Sequence, residues 1–345
     1  MTSLVHLTHS LDPEGGGVTE AVLRLDSELK KSLIYSSIVC NRETDCEKDS
    51  IIIAHGLWQW PSYKAWKNYK ANGTPYSVFP HGMLDPWFKK SYPLKHVKKQ
   101  VYWYLRQGKI LRDAHAVCFT TEEERLLAQE TFSPYQCKEV VTGLGVGDPP
   151  GDSDLQTTLL HSRFPQLKNK KVLLFLGRFH PKKGVDLLIK SFLNQCGEND
   201  ILALAGPLNN QDSHLKFLQK LSAQNTDQIL WTGMLEGDFK WGALRVADAL
   251  ILPSHQENFG MVIAEALSVG TPVFLTNKVN LWREVVESDA GIVANDDQNG
   301  IDQLIQKWRN NVHFKCIKNA FPCFREKLHI SKTVENIISL LPERS

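Results

Sequence analysis

The segment KVLLFLGRFHPKKGVDLLIKSF, residues 171–192, predicts a buried β-strand that leads through a short basic loop into an amphipathic helix. Its apolar run ends at Gly177, and Gly184 precedes apolar residues at helical spacing. The same order, a short apolar run and then a helical pattern, recurs through most of the chain. This alternation is typical of parallel sheets that helices cover on both faces.

Twelve strands are predicted, six on each side of the Gly-, Pro- and Asp-rich stretch at 147–154. They are Leu4–His9, Tyr35–Cys40, Ser50–His55, Tyr76–Pro80, Ala116–Thr120 and Glu139–Gly143 before it, and Val172–Gly177, Ile201–Gly206, Ile229–Gly233, Ala249–Pro253, Pro272–Thr276 and Gly291–Ala294 after it. The expected fold is α/β, with two doubly wound Rossmann-like domains facing across a cleft. We expect an N-terminal domain at 1–147, a second domain at 155–320 and a C-terminal helix at 321–345 that packs back on the first.

Composition indicates a folded protein of the cytoplasm. Of the 345 residues, 42% are hydrophobic, and a net charge of +2 does not indicate a nucleic-acid binder. No apolar run is long enough for a membrane span, and the first residues do not resemble a secretory signal. Seven cysteines without a CxxC pair argue against a disulfide framework and against a zinc site.

Basic side chains follow the first strand of the second half. Arg178 comes directly after the strand, and Lys183 lies just before the helix. Ligands of open parallel sheets bind at the carboxyl ends of the strands, where a guanidinium and an ammonium suit a pyrophosphate. The alternative is a solvated surface loop. In the first half, Gly15–Gly17 suit either an anion site at a helix start or a plain tight turn, and Glu20 disfavours a dinucleotide fingerprint.

The segment PSHQENFGMVIAEALSVGTPV, residues 253–273, places two carboxylates near one strand end. Glu257 lies in the loop after the strand, and Glu265 lies within a helical pattern that we expect to begin at Phe259. Carboxylates accept hydrogen bonds from the hydroxyl groups of sugars. A mere surface role is disfavoured for Glu265, because an unpaired carboxylate inside an apolar run would be costly.

A window rich in basic and aromatic residues, 86–112, carries a charge of +8 and holds no Asp or Glu. Basic residues with interfacial aromatics suit an anionic membrane surface. The competing interpretation is a solvated helix face whose aromatic side chains point into the core. Nucleic acid would require the same charges, but nothing else in the sequence supports it.

Four segments together resemble the retaining glycosyltransferases of GT-B fold that form glycosyltransferase family 4, the group 1 glycosyl transferases. They are GGG at 15–17, PHGMLDPW at 80–87, GRFHPKKGVDLLI at 177–189 and ENFGMVIAEALSVGTPV at 257–273. The resemblance implies a hexosyltransferase that takes its sugar from a nucleotide-diphosphate sugar, and no cofactor is expected. No metal is expected either, because the only Asp-x-Asp sequence, at 152–154, lies in the predicted linker rather than at a strand end. It implies a saccharide or lipid-linked acceptor, and a role in cell-surface polysaccharide or glycolipid synthesis at the inner face of the membrane.

The resemblance also assigns residues. It implies that Arg178 and Lys183 hold the donor diphosphate, that Glu257 binds the sugar and that Glu265 binds the ribose. His81 would contact the transferred sugar, so the residues expected to serve catalysis are His81, Arg178, Lys183 and Glu257. Further donor contacts are expected from Gly16, Gly17, Met234, Leu235, Asn258, Phe259, Gly260, Met261 and Val262.

One stretch departs from the family pattern. Relatives carry Asn-Gly followed by Val-Asp after the last strand of the first domain, and here residues 142–147 read TGLGVG. This difference concerns the donor contacts near the domain boundary and leaves Glu257 and Glu265 untouched. Two alternatives remain: a sugar-nucleotide epimerase of similar fold, and a non-catalytic nucleotide-sugar-binding subunit.

Overall fold

The computed structural model describes residues 3–12, 17–32, 34–44, 50–209, 211–223 and 227–341. The chain divides into two compact units. The first unit combines Met1–Gly147 with Leu328–Ser345, and the second unit is Asp148–Lys327. The second unit thus extends beyond 155–320 at both ends, and the segment 321–345 is shared between the units.

The first unit is built on a parallel sheet of six strands in the order β2-β1-β3-β4-β5-β6. The strands are β1 Ser3–Leu7, β2 Tyr35–Val39, β3 Ser50–His55, β4 Tyr76–Phe79, β5 Ala116–Phe119 and β6 Glu139–Val141. The helices of this unit are α1 Gly17–Lys31, α2 Trp60–Asn72, α3 Trp87–Ser91, α4 Pro93–Tyr102, α5 Gly108–Asp113, α6 Glu122–Ala128 and α15 Ile330–Ser339. A π-helical turn, Trp103–Gln107, joins α4 to α5.

The second unit has a parallel sheet in the order β12-β11-β10-β7-β8-β9. Its strands are β7 Lys171–Leu176, β8 Asp200–Ala205, β9 Ile229–Gly233, β10 Ala249–Leu252, β11 Val273–Thr276 and β12 Gly291–Ala294. Its helices are α7 Ser153–Arg163, α8 Val185–Gln195, α9 Ser213–Ser222, α10 Gly237–Val246, α11 Met261–Ser268, α12 Trp282–Glu287, α13 Gln298–Arg309 and α14 Phe314–Cys323. In the described part of the chain, no helix is both long enough and apolar enough to cross a membrane.

All twelve predicted strands are present, and the predicted pair of doubly wound sheets is confirmed. The strands form because short apolar runs can be buried on both faces of a sheet that helices cover. Strand β8 shows this most fully, since each of its six residues is buried. The resulting sheets bring the loops at the carboxyl ends of neighbouring strands close together.

Helix α15 packs into the core of the first unit, where Val334 and Ile337 lie with Leu4 and Leu25. The stretch 142–147, where the sequence departs from the family pattern, contacts the backbone at the start of this helix. Val146 pairs with His329 in a parallel bridge. A Cβ on Gly145 would lie 2.5 Å from the backbone of Ile330, so only glycine allows this approach.

Candidate functional site

The second sheet reverses its strand order between β7 and β10, which pair side by side. Ligands of doubly wound sheets bind outside the carboxyl ends of the strands at such a switch point. The loop with Arg178 and Lys183 follows β7, and the loop with Glu257 follows β10. Arg178, Lys183 and Glu257 therefore lie at the edge of the second sheet where ligands of this kind of sheet bind.

The loop after β7 is fixed against the loop after β10. Gly184 has a φ of +64°, and a Cβ there would lie 2.2 Å from the carbonyl oxygen of Pro253. The His255 N–H donates to the Lys182 carbonyl oxygen at 2.8 Å. This close approach brings the Lys183 ammonium into an ion pair with the Glu257 carboxylate, although 74 residues separate the two in sequence.

The main chain of Glu257 is held on its other side by residues that follow β11. The Glu257 N–H donates to the Lys278 carbonyl oxygen, and the Asn280 N–H donates to the Glu257 carbonyl oxygen, both at 3.0 Å. Together they form a parallel bridge between Glu257 and Val279. The main chain of Glu257, which carries the carboxylate, is therefore fixed through both its N–H and its carbonyl oxygen. No sequence pattern had pointed to Lys278 or Asn280.

Helix α11 begins at Met261, two residues later than the sequence pattern indicated. The reason is Gly260, whose φ of +68° lies in the left-handed region and cannot belong to a right-handed helix. Phe259 precedes the helix and is buried. As the first residues of α11, Met261 and Val262 have N–H groups without a partner four residues back, which is the usual state of a helix start.

Glu265 lies on α11 and is 4% exposed. Its carboxylate accepts a hydrogen bond from the Lys240 ammonium of α10 at 2.9 Å. The sequence indicated that this carboxylate needs a partner, but it did not identify Lys240, which lies 25 residues earlier in the chain. Two lysine–carboxylate pairs of the second unit, Lys183–Glu257 and Lys240–Glu265, thus have both side chains largely shielded from solvent.

Arg178 is exposed at the end of β7, and its side chain makes no hydrogen bond or ion pair with the residues that the structure describes. Partial burial and the positive charges of Lys182 and Arg178 lower the pKa of His180. The loop thus presents a positive field. Met234, at the end of β9, is exposed, whereas its neighbour Leu235 is buried.

The Asp-x-Asp sequence at 152–154 has a structural role. The Asp152 carboxylate accepts hydrogen bonds from the N–H groups of Asp154 at 2.9 Å and Leu155 at 2.8 Å. Asp152 is therefore the N-cap of α7, which is the usual position for an aspartate at a helix start.

In the first unit, His81 lies in the loop after β4 with a φ of +51°, and Gly82 follows at +76°. The Gly82 N–H donates to the carboxylate of Glu124 at 2.5 Å. Glu124 is 3% exposed, and its other carboxylate oxygen accepts from the N–H of Thr120 at 2.7 Å and from its hydroxyl at 2.6 Å. A buried carboxylate thus braces the left-handed loop that carries His81.

His81 is the outermost member of a row of three imidazoles. His55 Nδ1 lies 2.9 Å from His81 Nε2, and His6 Nδ1 lies 2.9 Å from His55 Nε2. The three come from adjacent strands, since His6 lies on β1, His55 ends β3 and His81 follows β4. Burial lowers the pKa of His6 and of His81 to about 4, and lowers the pKa of His55 well below its usual value. All three rings are therefore neutral near pH 7.

His6 and His55 were not predicted as site residues. Gly17 begins α1, as expected, while Gly15 and Gly16 lie outside the described residues.

Comparison with solved structures identifies the fold. The chain superposes with a TM-score of 0.76 on sucrose-phosphate synthase from Thermosynechococcus elongatus, at 15% identity, covering 99% of this chain and 98% of that one. It superposes equally well on HepE from Anabaena, whose structure holds UDP and glucose, at 15% identity over 98% and 99% of the two chains. The predicted GT-B fold of glycosyltransferases is thereby confirmed.

Residues 158–320 match the model of the family described as glycosyl transferases group 1. Among similar proteins, an uncharacterized glycosyltransferase of Methanocaldococcus jannaschii is 27% identical over 184 residues, or 51% of this chain and 46% of that protein. A D-inositol 3-phosphate glycosyltransferase of Xylanimonas cellulosilytica is 30% identical over 149 residues, 42% and 36% of the two chains. The aligned part thus spans less than half of these relatives' length.

Proposed function

We propose that this protein transfers a hexose from a nucleoside-diphosphate sugar to a saccharide or lipid-linked acceptor. The observation that carries the proposal is the pair of lysine–carboxylate contacts, Lys183–Glu257 and Lys240–Glu265, within a group 1 glycosyl transferase domain. The first lies beside the β7–β10 switch point, and the second is carried by α10 and α11, which flank β10 along the chain. A nucleoside-diphosphate sugar needs cations for its phosphates and acceptors for its many hydroxyl groups, and this domain supplies both.

Arg178 and Lys183 are proposed to bind the diphosphate. Because the ammonium of Lys183 has three N–H donors, it can keep Glu257 as a partner while it donates to a phosphate oxygen. As the bond between the sugar and the diphosphate breaks, negative charge builds on the leaving oxygen. Fixed positive groups stabilise that charge more than they stabilise the intact donor, so they lower the barrier. This arrangement requires no metal, since side chains neutralise the diphosphate.

Glu257 is proposed to orient the transferred sugar. One carboxylate oxygen holds Lys183, which leaves acceptor capacity for sugar hydroxyls. The N–H groups from Asn258 to Val262 are proposed to hold the donor at the start of α11, where the helix carries partial positive charge.

The nucleoside is proposed to bind through Glu265 and the loop after β9. Glu265 would accept hydrogen bonds from the ribose hydroxyls, and Met234 and Leu235 would hold the base through their main chain. In the first unit, His81 would donate a hydrogen bond to the sugar, and Gly16 and Gly17 would leave room for the donor. The acceptor hydroxyl would attack on the leaving-group face, so the anomeric configuration is retained.

A panel experiment tests the function. The protein is incubated with UDP-, GDP- and ADP-sugars, with and without saccharide and lipid-linked acceptors, and free nucleotide and products are measured by mass spectrometry. The proposal expects nucleotide release that depends on an acceptor, and a product heavier than the acceptor by one hexose. Interconversion of the donor sugar without an acceptor would instead indicate an epimerase. No nucleotide release with any combination would overturn the proposal.

We also propose that the segment 86–112 docks on an anionic membrane surface. The α4–α5 stretch leaves apolar side chains exposed at helical spacing, with Leu94 at 82%, Val97 at 61%, Val101 at 57% and Leu105 at 62%. Trp103 points the other way and is buried, so the predicted core-facing aromatic stripe accounts for only part of the window.

The same segment also carries exposed cations, and they are Lys89, Lys90, Lys95, Lys98, Arg106, Lys109 and Arg112. An apolar stripe together with cations matches the boundary between acyl chains and anionic headgroups. Each cation near such a surface contributes about 1 kcal/mol. Docking would therefore be reversible and sensitive to salt.

A further inference from the structure

The row His6–His55–His81 has only two neutral hydrogen-bonding states. Each neutral imidazole carries one N–H and one bare nitrogen, and both inter-ring contacts need one of each. If His6 donates to His55, then His55 must donate to His81, and the proton of His81 must sit on Nδ1. If the row runs the other way, His81 donates from Nε2, and the proton of His6 must sit on Nε2.

The surroundings of His6 decide between these states. His6 is 0% exposed, and its Nε2 has no hydrogen-bond partner. Asp26 acts on His6 electrostatically, but its two oxygens already accept from Ser36 Oγ and Lys30 Nζ, each at 2.7 Å. A buried N–H without an acceptor is rarer in proteins than an unused acceptor. The favoured state therefore leaves His6 Nε2 bare.

We propose that His6 and His55 are positioning residues that fix the proton of His81 on Nδ1. His81 is the half-buried end of the row, whereas His6 and His55 are buried, so a ligand can reach only His81. It would meet that ligand as a hydrogen-bond donor. The role of this donor toward a sugar oxygen rests on the proposed transferase function, whereas the proton's position does not.

The row fixes a proton and does not conduct one. Conduction would need an exit at both ends, and the inner end is His6 Nε2, which is buried without a partner. Instead, His6 donates its N–H to His55, His55 donates its N–H to His81, and the N–H of His81 is the last in the row. Aligned hydrogen bonds polarise one another, so the last N–H becomes a stronger donor than that of an isolated imidazole.

Nuclear magnetic resonance of the full chain with ¹⁵N-labelled histidine tests the proposal. The nitrogen that carries the proton differs clearly in chemical shift from the bare nitrogen, and His81→Gln identifies the signals of His81 among the twelve histidines. At pH 7 and without any sugar nucleotide, we expect the His81 proton on Nδ1. A proton on Nε2 of His81 would overturn the proposal.

Matched substitutions at His55 and His6 separate the hydrogen bond from packing. Asn and Leu have similar size, and only Asn can offer an N–H where the Nδ1–H of histidine lies. We expect His55→Asn and His6→Asn to keep the proton of His81 on Nδ1. His55→Leu and His6→Leu should shift it at least in part to Nε2. If the proton of His81 stays on Nδ1 in both folded Leu variants, the proposed role of His6 and His55 is wrong.

Activity gives a second measurement. With a donor and acceptor from the panel, kcat/KM should fall about tenfold in His55→Leu, the loss expected for one well-placed hydrogen bond, and should stay near wild type in His55→Asn. Equal losses in the two variants would mean that His55 acts through packing. The position of the His81 proton is measured without substrate. Absence of transfer would therefore refute the proposed function, but the roles of His6 and His55 would still be tested by the NMR spectra.

Discussion

Lys183 and Glu257 form an ion pair that joins the loops after β7 and β10. Their side chains are only 12% and 19% exposed, so solvent screens this pair less than it would a surface pair. The contact positions a cation and a carboxylate side by side where the strand order reverses. A diphosphate and a sugar hydroxyl need these two groups at the same place.

Substitution of Glu257 and Arg178 should impair transfer strongly. We expect Glu257→Ala and Arg178→Ala each to reduce the transfer rate by about ten- to a thousandfold, because both groups are proposed to act where charge and geometry change in the transition state. Steady-state nucleotide release measures the effect. Lys216→Ala, which removes an exposed cation on α9, should retain the wild-type rate. Wild-type rates in both site variants would refute the assignment.

The Lys240–Glu265 pair should contribute to both stability and nucleotide binding. Lys240→Met removes the ammonium beside a carboxylate that is 5% exposed, and should lower the free energy of unfolding by about 1–3 kcal/mol in urea. Exposed Lys220→Met is the control. Adding Glu265→Gln to Lys240→Met should recover part of that stability, since the buried charge is then gone.

Glu265→Ala should weaken nucleotide binding about tenfold, the effect of losing hydrogen bonds to a charged group, as measured by calorimetry with UDP, GDP and ADP. An unchanged affinity for the nucleotide that binds best would show that Glu265 has only a structural role.

Gly145 and Gly147 both lie in the stretch 142–147, which departs from the family pattern, and substitutions at the two positions can be compared directly. A Cβ at Gly145 would collide with the backbone of Ile330 at 2.5 Å, whereas a Cβ at Gly147 would meet nothing within 4 Å. Gly145→Ala should therefore cost about 1–3 kcal/mol of stability, and Gly147→Ala should cost much less. Thermal unfolding measures both. Equal effects would mean that the approach of α15 does not explain Gly145.

Stability should fall as the pH falls below 6.5. The pKa of His6 and of His81 is lowered from 6.5 to about 4 in the folded protein, so the unfolded chain binds protons first. Their contribution is complete above pH 6.5 and is lost toward pH 4, and one such group accounts for about 3 kcal/mol. Urea unfolding between pH 7 and 5 should show this slope. His6→Asn should reduce it, and exposed His115→Asn should not.

The sequence predicts the sheets well because each strand is a local apolar run, and the parallel order follows from the helical patterns between runs. It also predicts that Glu257 and Lys183 lie in loops at the carboxyl ends of strands, where the structure has them. Lys240 could not be found in this way, because its partner Glu265 comes from another helix. Such a contact depends on how α10 and α11 pack, which no local pattern records.

The positions of the three histidines relative to the predicted strands can be read from the sequence. His55 ends one predicted strand, His81 directly follows another, and His6 lies within a third. Their proximity follows only once β1, β3 and β4 are known to be neighbours. Local patterns give each strand, but the order of strands in the sheet depends on long-range packing. For the same reason the bracing of Gly82 by Glu124 could not be predicted.

Membrane docking through the stripe of Leu94, Val97, Val101 and Leu105 should require both its cations and its apolar side chains. We expect co-sedimentation with vesicles of anionic phospholipid at low salt, and release at high salt, because salt screens exposed charges. Reversal of Lys89, Lys90, Lys95 and Lys98 to Glu should abolish binding, and Val97→Ser with Val101→Ser should weaken it. Lys216→Glu with Lys220→Glu, which reverses exposed charges on α9, is the control. Binding that survives the first reversal, or that the control removes equally, would refute docking by this stripe.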